Sequence, residues 1–153
     1  MKETTENIYK WLEIGENEFG DTSKLPLAIS LVEEELQELK DGIKNKDRKE
    51  VINAIVDLWW VLCNVSLFSS VTVDELQKEF DKVEKSNFSK YCKTFEEAQE
   101  TVNAYANGTH PNKLGEIIET YIVSTKYTEY PFVVKRKDGK VLKSINFKDV
   151  NEF

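Results

Sequence analysis

The chain has 153 residues, 40% of them hydrophobic and 32% charged, with 21 Lys and Arg against 28 Asp and Glu. This length suits one domain, or one domain with a small appendage, and it can bury a core without a metal or a disulfide. The composition argues against a disordered or collagen-like chain. No run approaches 18 apolar residues and the N-terminus is acidic, so we expect no membrane span, no secretory signal and a cytoplasmic location.

The net charge of −7 is unevenly distributed along the chain. Residues 1–107 hold 13 basic and 22 acidic residues, whereas residues 108–153 hold eight and six. An acidic body repels duplex DNA, whose binding needs Lys and Arg to displace counterions, so we do not expect duplex nucleic acid as a partner. Cys63 and Cys92 are too few for a disulfide framework and lack a metal-binding spacing, which favours free thiols in a reducing cytoplasm.

The predicted elements fall into a helical body and a β-rich tail. Apolar spacing and breaker residues, with Ser23 as an N-cap, predict five helices, at about 4–18, 23–43, 48–68, 74–91 and 95–106. Runs rich in β-branched and aromatic residues predict strands at about 117–123, 132–136 and 141–145. The last two flank Asp138-Gly139, which favours a hairpin turn. We therefore expect a mainly α protein, with a four-to-five-helix bundle over residues 1–107 and a small β-hairpin or sheet appendage over 108–153.

Two carboxylates fall on the apolar side of the second predicted helix. On a wheel of about 100° per residue, Glu35 and Glu38 lie inside the apolar arc, Glu34 lies at its edge, and Glu33 lies opposite. An unpaired carboxylate is not left in an apolar interior, so these acids must be neutralised, paired or bound to a metal.

The third predicted helix is apolar nearly all round, which predicts a central, buried helix, but it also carries one polar stripe. Glu50, Asn53, Asp57 and Asn64 share one narrow side of the wheel. Because a short turn joins this helix to the second, the two should pack antiparallel, and the stripe should face the acids of the second helix. Converging carboxylates without His or Cys form an oxygen-only donor set, which favours Mg²⁺ first and Mn²⁺ second.

A di-iron carboxylate bundle is not expected, because it would require Glu-x-x-His pairs and the single histidine, His110, lies in a turn of the tail. The fourth predicted helix adds Asn87 on the continuation of its apolar stripe, with Lys85 and Lys90 close to it in the sequence. An amide on an inward face beside cationic side chains suits a ligand that carries phosphates and a base.

These segments together resemble the all-α nucleotide pyrophosphohydrolases, the superfamily of MazG, dimeric dUTPases and phosphoribosyl-ATP pyrophosphohydrolase. Glu34-Glu35-Leu36-Gln37-Glu38 resembles the motif E-E-x-x-E, and a short linker then leads to an apolar helix that carries Asp57. The segment 83–90 is similar to a later motif of MazG-like and phage-type members. The tail 134–143 is similar to a hairpin found in many phage-encoded relatives. The likeness covers about residues 5–145.

The resemblance implies Mg²⁺-dependent hydrolysis of a (deoxy)nucleoside triphosphate to the monophosphate and pyrophosphate, in a homodimer or a dimer of dimers. By matching position, it implies that Glu35, Glu38 and Asp57 are metal ligands. Glu34 would be a further ligand or an acid that orients the attacking water.

The resemblance also implies that polar residues near the end of the fourth helix contact the nucleotide: Asn87, Lys90 and Lys85. One position departs from the family pattern, which is usually E-x-x-D in the third helix, because Ala54 stands three residues before Asp57. Asn53 and Glu50 lie on the same seam and are the alternative ligands, so the number of metal ions stays open.

Two other interpretations stay open with this departure. One is a catalytically impaired nucleotide-binding or regulatory protein of the same fold. The other is a structural helical dimer whose acids pair with lysines.

Overall fold

The computed structural model describes residues 2–153 and divides the chain into two compact units, the first ending at Lys78 and the second spanning Glu79–Phe153. The regular structure is mainly helical, with a small antiparallel sheet near the C-terminus, which confirms the predicted fold class. Its helices and strands are α1 (Lys2–Ile14), α2 (Leu25–Asn45), α3 (Arg48–Phe68), α4 (Val73–Phe88), α5 (Phe95–Ala106), β1 (Thr120–Ser124) and β2 (Phe132–Arg136).

The core of the first unit forms where α1 packs against the second half of α3. Ile8 and Leu12 of α1 and Leu67 of α3 are at most 2% exposed and belong to one buried cluster. Tyr9 adds a hydrogen bond from its hydroxyl to the carbonyl oxygen of Val71, at 2.7 Å. Burying an aliphatic side chain of this size contributes about 1.5–3 kcal/mol, so this cluster is a main source of stability for the unit.

Three helix ends differ from the sequence-based expectation, and one of them is the end of α4, at Phe88 rather than near residue 91. α1 ends at Ile14 rather than near residue 18, because Glu16 adopts a left-handed conformation (φ 60°) and Asn17 donates to the carbonyl of Leu12. Ser23 does not cap α2. Residues 22–24 instead form a 3-10 turn capped by Asp21, and α2 begins after that turn.

A two-residue turn joins α2 to α3. Lys46 adopts a left-handed conformation (φ 57°), and the Asp47 side chain caps α3 by accepting from the N–H groups of Lys49 and Glu50 at 3.0 and 3.1 Å. Gly42 is buried at this end, and a Cβ there would lie 3.1 Å from the backbone nitrogen of Val51. The absence of that Cβ lets the last turn of α2 approach the first turn of α3 closely.

α3 is only partly buried, so the expectation of a helix covered all round is wrong for the single chain. Its second half is largely buried, but on its first half Ile52, Ile55 and Val56 are 44–56% exposed. α2 likewise exposes aliphatic residues at a spacing of seven, which places them on one side of the helix. We call the two sets the exposed stripes: Ile29, Leu36 and Ile43 of α2, and Ile52, Ile55, Val56 and Leu62 of α3.

Among residues 2–153, α3 is also the one helix long and apolar enough to cross a membrane by length and composition alone. A core helix of a soluble protein passes the same test. Glu50, Asn53 and Asp57 lie within α3, and polar side chains of this kind are costly in a bilayer.

The second unit packs α5 against the two-stranded sheet. β1 and β2 are antiparallel, with Ile122 opposite Val134. Ala98 of α5 and Val134 are both fully buried in one cluster with Cys92. Because α5 shares this core with the strands, it belongs to the second unit, and the domain boundary expected after residue 107 stays a prediction.

The predicted strand at 141–145 is not formed. Lys135 and Val141 make a single bridge after the turn at Asp138-Gly139, and the chain then leaves the sheet. The segment leaves the sheet because its hydrogen bonds go elsewhere: the Ile145 N–H donates to the Thr101 hydroxyl at 2.9 Å, and the Lys143 carbonyl accepts from the Tyr105 hydroxyl. The Ser144 hydroxyl donates to the carbonyl of Ser89. The hairpin of the structure is therefore β1–β2.

Candidate functional site

Glu35 is the residue of α2 whose carboxylate is partly removed from solvent. The residue is half-buried, and its Oε2 is buried with no hydrogen-bond partner among the residues that the structure describes. Burial raises the pKa of its carboxyl, and the charges of Glu38, Asp57, Glu34 and Glu50 raise that pKa further. The hairpin of α2 and α3 thus brings four other acids into electrostatic range of the Glu35 carboxylate, whose Oε2 is buried. We call these five residues the acid cluster.

The members of the acid cluster differ in exposure. Glu34, Glu38 and Asp57 are exposed, whereas Glu50 is half-buried on the first turn of α3. The expectation that Glu38 shares a buried face with Glu35 is therefore wrong for the single chain, because α3 covers only one narrow side of α2. Acids of both helices raise the pKa of Glu35, and the predicted convergence of Glu35, Glu38 and Asp57 on one metal ion stays a prediction.

Within residues 2–153, no three Asp, Glu, His or Cys side chains lie close enough together to hold a metal ion. The fold brings the charges of the acid cluster into electrostatic range of Glu35 without assembling a complete set of protein ligands. Mg²⁺ retains several waters and is usually held by one or two carboxylates together with substrate phosphates, so its binding does not require a preformed cage. The oxygen-only donors around Glu35 fit such an ion in chemistry and in charge.

Glu50 and Asn53 of the third helix are the two alternatives to the glutamate that the resemblance implies at position 54. Ala54 is fully buried, so this position adds no ligand. Glu50 lies close enough to raise the pKa of Glu35, while Asn53 is exposed. Asn64, on the same stripe, is buried, and its Oδ1 has no hydrogen-bond partner within the described part of the chain.

The residues predicted to contact a nucleotide lie in the second unit. Asn87 is exposed rather than inward, and its Oδ1 accepts from the Lys90 ammonium at 2.6 Å. The inward residue is Ser86, 5% exposed, whose hydroxyl donates to the carbonyl of Lys148 at 2.9 Å. Ser86, rather than the predicted Asn87, faces inward because the C-terminal segment packs on this end of α4. Lys85 is exposed and lines a cavity.

Two cavities of the second unit were not anticipated from the sequence. One has a volume of about 480 Å³ and the other about 950 Å³, and both are lined by Phe88, Tyr91 and Tyr130. Up to 42 residues of sequence separate these aromatic residues, so no local pattern could predict that they meet.

Comparison with known families finds a match for the segment that contains the α2–α3 hairpin. Residues 13–87 match the family model of phosphoribosyl-ATP pyrophosphohydrolase, a segment that contains α2, α3, nearly all of α4 and the whole acid cluster. The matched segment therefore belongs to the all-α MazG-like nucleotide pyrophosphohydrolase superfamily. Members of the matched family are soluble enzymes that typically use a divalent metal. No curated protein and no solved structure shows significant similarity to the chain.

Proposed function

We propose that the chain hydrolyses a (deoxy)nucleoside triphosphate between the α and β phosphorus atoms, releasing the monophosphate and pyrophosphate, with Mg²⁺ as the metal. The observation that carries this proposal is the partly buried Glu35, whose carboxyl lies within electrostatic range of four further acids in the segment that matches the pyrophosphohydrolase family. A buried carboxylate with like-charged neighbours is tolerated when a cation offsets its charge. The proposal places the enzyme in the cytoplasm, which the two free cysteines support.

The acid cluster supplies the metal ligands in this proposal. Glu35, Glu38 and Asp57 are the principal ligands, Glu50 is the next, and the amide of Asn53 is a weaker donor. The same oxygen donors accept Mn²⁺. When bound, a divalent ion offsets the charge of the phosphates and lowers the pKa of a water molecule that it holds.

The other residues of the site bind and orient the substrate. Glu34, exposed beside Glu35, accepts a hydrogen bond from the attacking water and takes its proton. Asn87, Lys90 and Lys85 contact the nucleotide, and the hydrogen bond between Lys90 and Asn87 holds the ammonium in place before a phosphate reaches it. These assignments rest on matching positions in the family motifs.

We further propose that two chains pair through the exposed stripes, as a homodimer or as a dimer of dimers. Seven aliphatic side chains of the stripes are 41–61% exposed, and covering a half-exposed side chain of this kind gains roughly 1 kcal/mol. Stripes of aliphatic residues on two packed helices are typical of helix-bundle interfaces.

The rival function is nucleotide binding without turnover. It is favoured by the buried Ala54 in place of the usual glutamate and by the lack of three grouped metal ligands in the described residues. Such a protein would bind a triphosphate in the presence of Mg²⁺ and leave it intact.

A substrate panel with separated products tests the proposal. The full-length chain is incubated with phosphoribosyl-ATP and with the common ribo- and deoxyribonucleoside triphosphates, and pyrophosphate and monophosphate are quantified with and without Mg²⁺. We expect Mg²⁺-dependent release of both products from at least one substrate. Glu38→Gln should abolish release, whereas Glu33→Gln, the same change on an exposed residue of the same helix, should leave it intact. Tight triphosphate binding without release would establish the rival, and full activity of the Glu38 variant would remove Glu38 from the site.

A further inference from the structure

Three aromatic rings form a wall shared by the two cavities of the second unit. Phe88, Tyr91 and Tyr130, which we call the ring wall, have ring centroids 5.0–6.3 Å apart, and Phe88 and Tyr130 are stacked at an interplanar angle of 23°. All three line both cavities, and Tyr127, 64% exposed, adds a fourth ring to the larger one. Rings that support one another and border open space offer flat faces to a planar ligand.

Lysines border the ring wall on both sides: Lys85, Lys93 and Lys148 line the smaller cavity, and Lys126 and Lys135 line the larger. Across the described stretch 2–153, none of these five ammonium groups forms an ion pair. Acids also line the cavities, but they are fewer on each side: Glu84 and Glu97 in the smaller, and Glu129 in the larger. The carboxylate of Glu97 is already engaged, since it accepts from the backbone N–H of Lys93 at 2.8 Å.

The charge of the second unit permits an anionic ligand. Residues 79–153 hold twelve basic and twelve acidic residues, so the net negative charge of the chain resides in the first unit. The segment 135–143, which begins at Lys135 on the larger cavity, holds five basic residues and one acid. The two cavities are therefore lined by five lysines and three glutamates, in a unit whose formal charges balance.

We propose that the ring wall and its two cavities bind single-stranded nucleic acid, with bases stacked on both sides of the wall and phosphates held by the five lysines. A single strand repeats a planar ring and a negative charge at every residue, which matches two cavities that share aromatic faces and each carry lysines. A free mononucleotide would occupy one cavity only, and the bases of a duplex are hidden in its stack. This site contains no residue of the acid cluster and shares Lys85 with the proposed nucleotide contacts, and the binding proposed here does not require hydrolysis.

Fluorescence anisotropy with a labelled oligothymidylate dodecamer and the full-length chain tests the proposal. The titration is done in EDTA at several sodium chloride concentrations, so that binding owes nothing to a divalent ion at the acid cluster. We expect saturable binding. The logarithm of the binding constant should fall linearly with the logarithm of the salt concentration, with a slope of about 0.7 for each phosphate that a lysine contacts. Tyr127→Ala, which removes an exposed ring with little effect on packing, should weaken binding at least about five-fold.

Two charge variants and a matched control complete the test. The double variant Lys126→Gln/Lys135→Gln and the double variant Lys93→Gln/Lys148→Gln should each reduce the salt slope by about 1.4. Lys10→Gln/Lys40→Gln makes the same charge change on exposed lysines of the first unit and should leave the slope unchanged. The proposal is overturned if the dodecamer does not bind at low salt, if its duplex binds as tightly, or if thymidine monophosphate displaces it at equal concentration. Cavity variants that behave like the control would also overturn it.

Discussion

Replacing Glu35 by glutamine should separate two effects of this carboxylate: the loss of stability that its charge causes without metal, and the stabilisation that it gives by binding Mg²⁺. Burial and four neighbouring acids raise the pKa of this carboxyl in the folded chain. The folded state therefore binds more protons than the unfolded state just above pH 4.5, and metal-free stability falls as the pH rises through that window. Glutamine removes the charge, so at neutral pH and without metal the variant should melt at a higher temperature than the wild type.

Magnesium should reverse this order. A ligand that binds only the folded state at a concentration 100 times its dissociation constant adds about 2.7 kcal/mol to the free energy of unfolding. For a chain of 153 residues, each kcal/mol corresponds to a rise in melting temperature of about 2–4 °C. We therefore expect saturating Mg²⁺ to raise the melting temperature of the wild type by roughly 5–10 °C, and to change that of E35Q little.

Thermal melting monitored by circular dichroism, with EDTA or with millimolar Mg²⁺, measures both effects. Glu33→Gln is the matched control, because it makes the same change on an exposed residue of α2 and should respond to Mg²⁺ as the wild type does. A wild-type melting temperature that Mg²⁺ does not move would support a structural helical dimer instead of a metal site. An E35Q variant that responds fully to Mg²⁺ would refute the role assigned to this carboxylate.

Three further predictions concern packing and assembly. His110 is fully buried and stacks on Tyr105 with ring centroids 4.0 Å apart, and burial lowers its pKa below 6.5. As the pH falls, His110 is therefore protonated in the unfolded chain before it is protonated in the folded chain. The free energy of unfolding that the neutral, buried ring contributes is fully present above pH 6.5 and decreases below it. In urea denaturation, the free energy of unfolding of the wild type should fall below that of H110Q by up to about 1.4 kcal/mol for each pH unit below 6.5. Parallel pH profiles of the two proteins would contradict this. Leu67→Ala removes most of a side chain with no exposed surface and should lower the free energy of unfolding by about 2–5 kcal/mol, measured by denaturant titration. A loss under about 1 kcal/mol would show that the core is loosely packed. Ile55→Glu, on the exposed stripe of α3, should shift the chain toward monomer in sedimentation equilibrium, whereas Leu114→Glu, at a still more exposed residue outside the stripes, should not. A wild type that is already monomeric would remove the proposed interface.

The helices were predictable because their signals are local. The apolar run from 48 to 68 corresponds to α3 as observed, and the segment 95–106 corresponds to α5. Asp47 supplies the cap of α3, and a turn of two residues leaves α2 and α3 little choice but to pack side by side. Periodicity of 3.6 residues then fixes which residues of each helix can share a side.

The errors arise where a position depends on what the rest of the chain brings to it. The predicted strand at 141–145 loses its place in the sheet because Thr101 and Tyr105 of α5 bind its backbone instead. Asn87 was expected to face inward, but Ser86 takes that place through its bond to the carbonyl of Lys148. Each of these partners is more than 30 residues away in the sequence, so no pattern within one element could reveal it.

By itself, the sequence determined the helical class, the order of the helices, the family and the gathering of acids on α2 and α3, because all of these follow from residue types at short, regular spacing. The tertiary structure decided which acid is withdrawn from water: Glu35 has a buried carboxylate oxygen, whereas Glu38 and Asp57 remain exposed. It also decided that Phe88, Tyr91 and Tyr130 meet in one wall. Burial and long-range contact depend on how whole elements pack, and that information is not contained in the spacing of residues along one helix or strand.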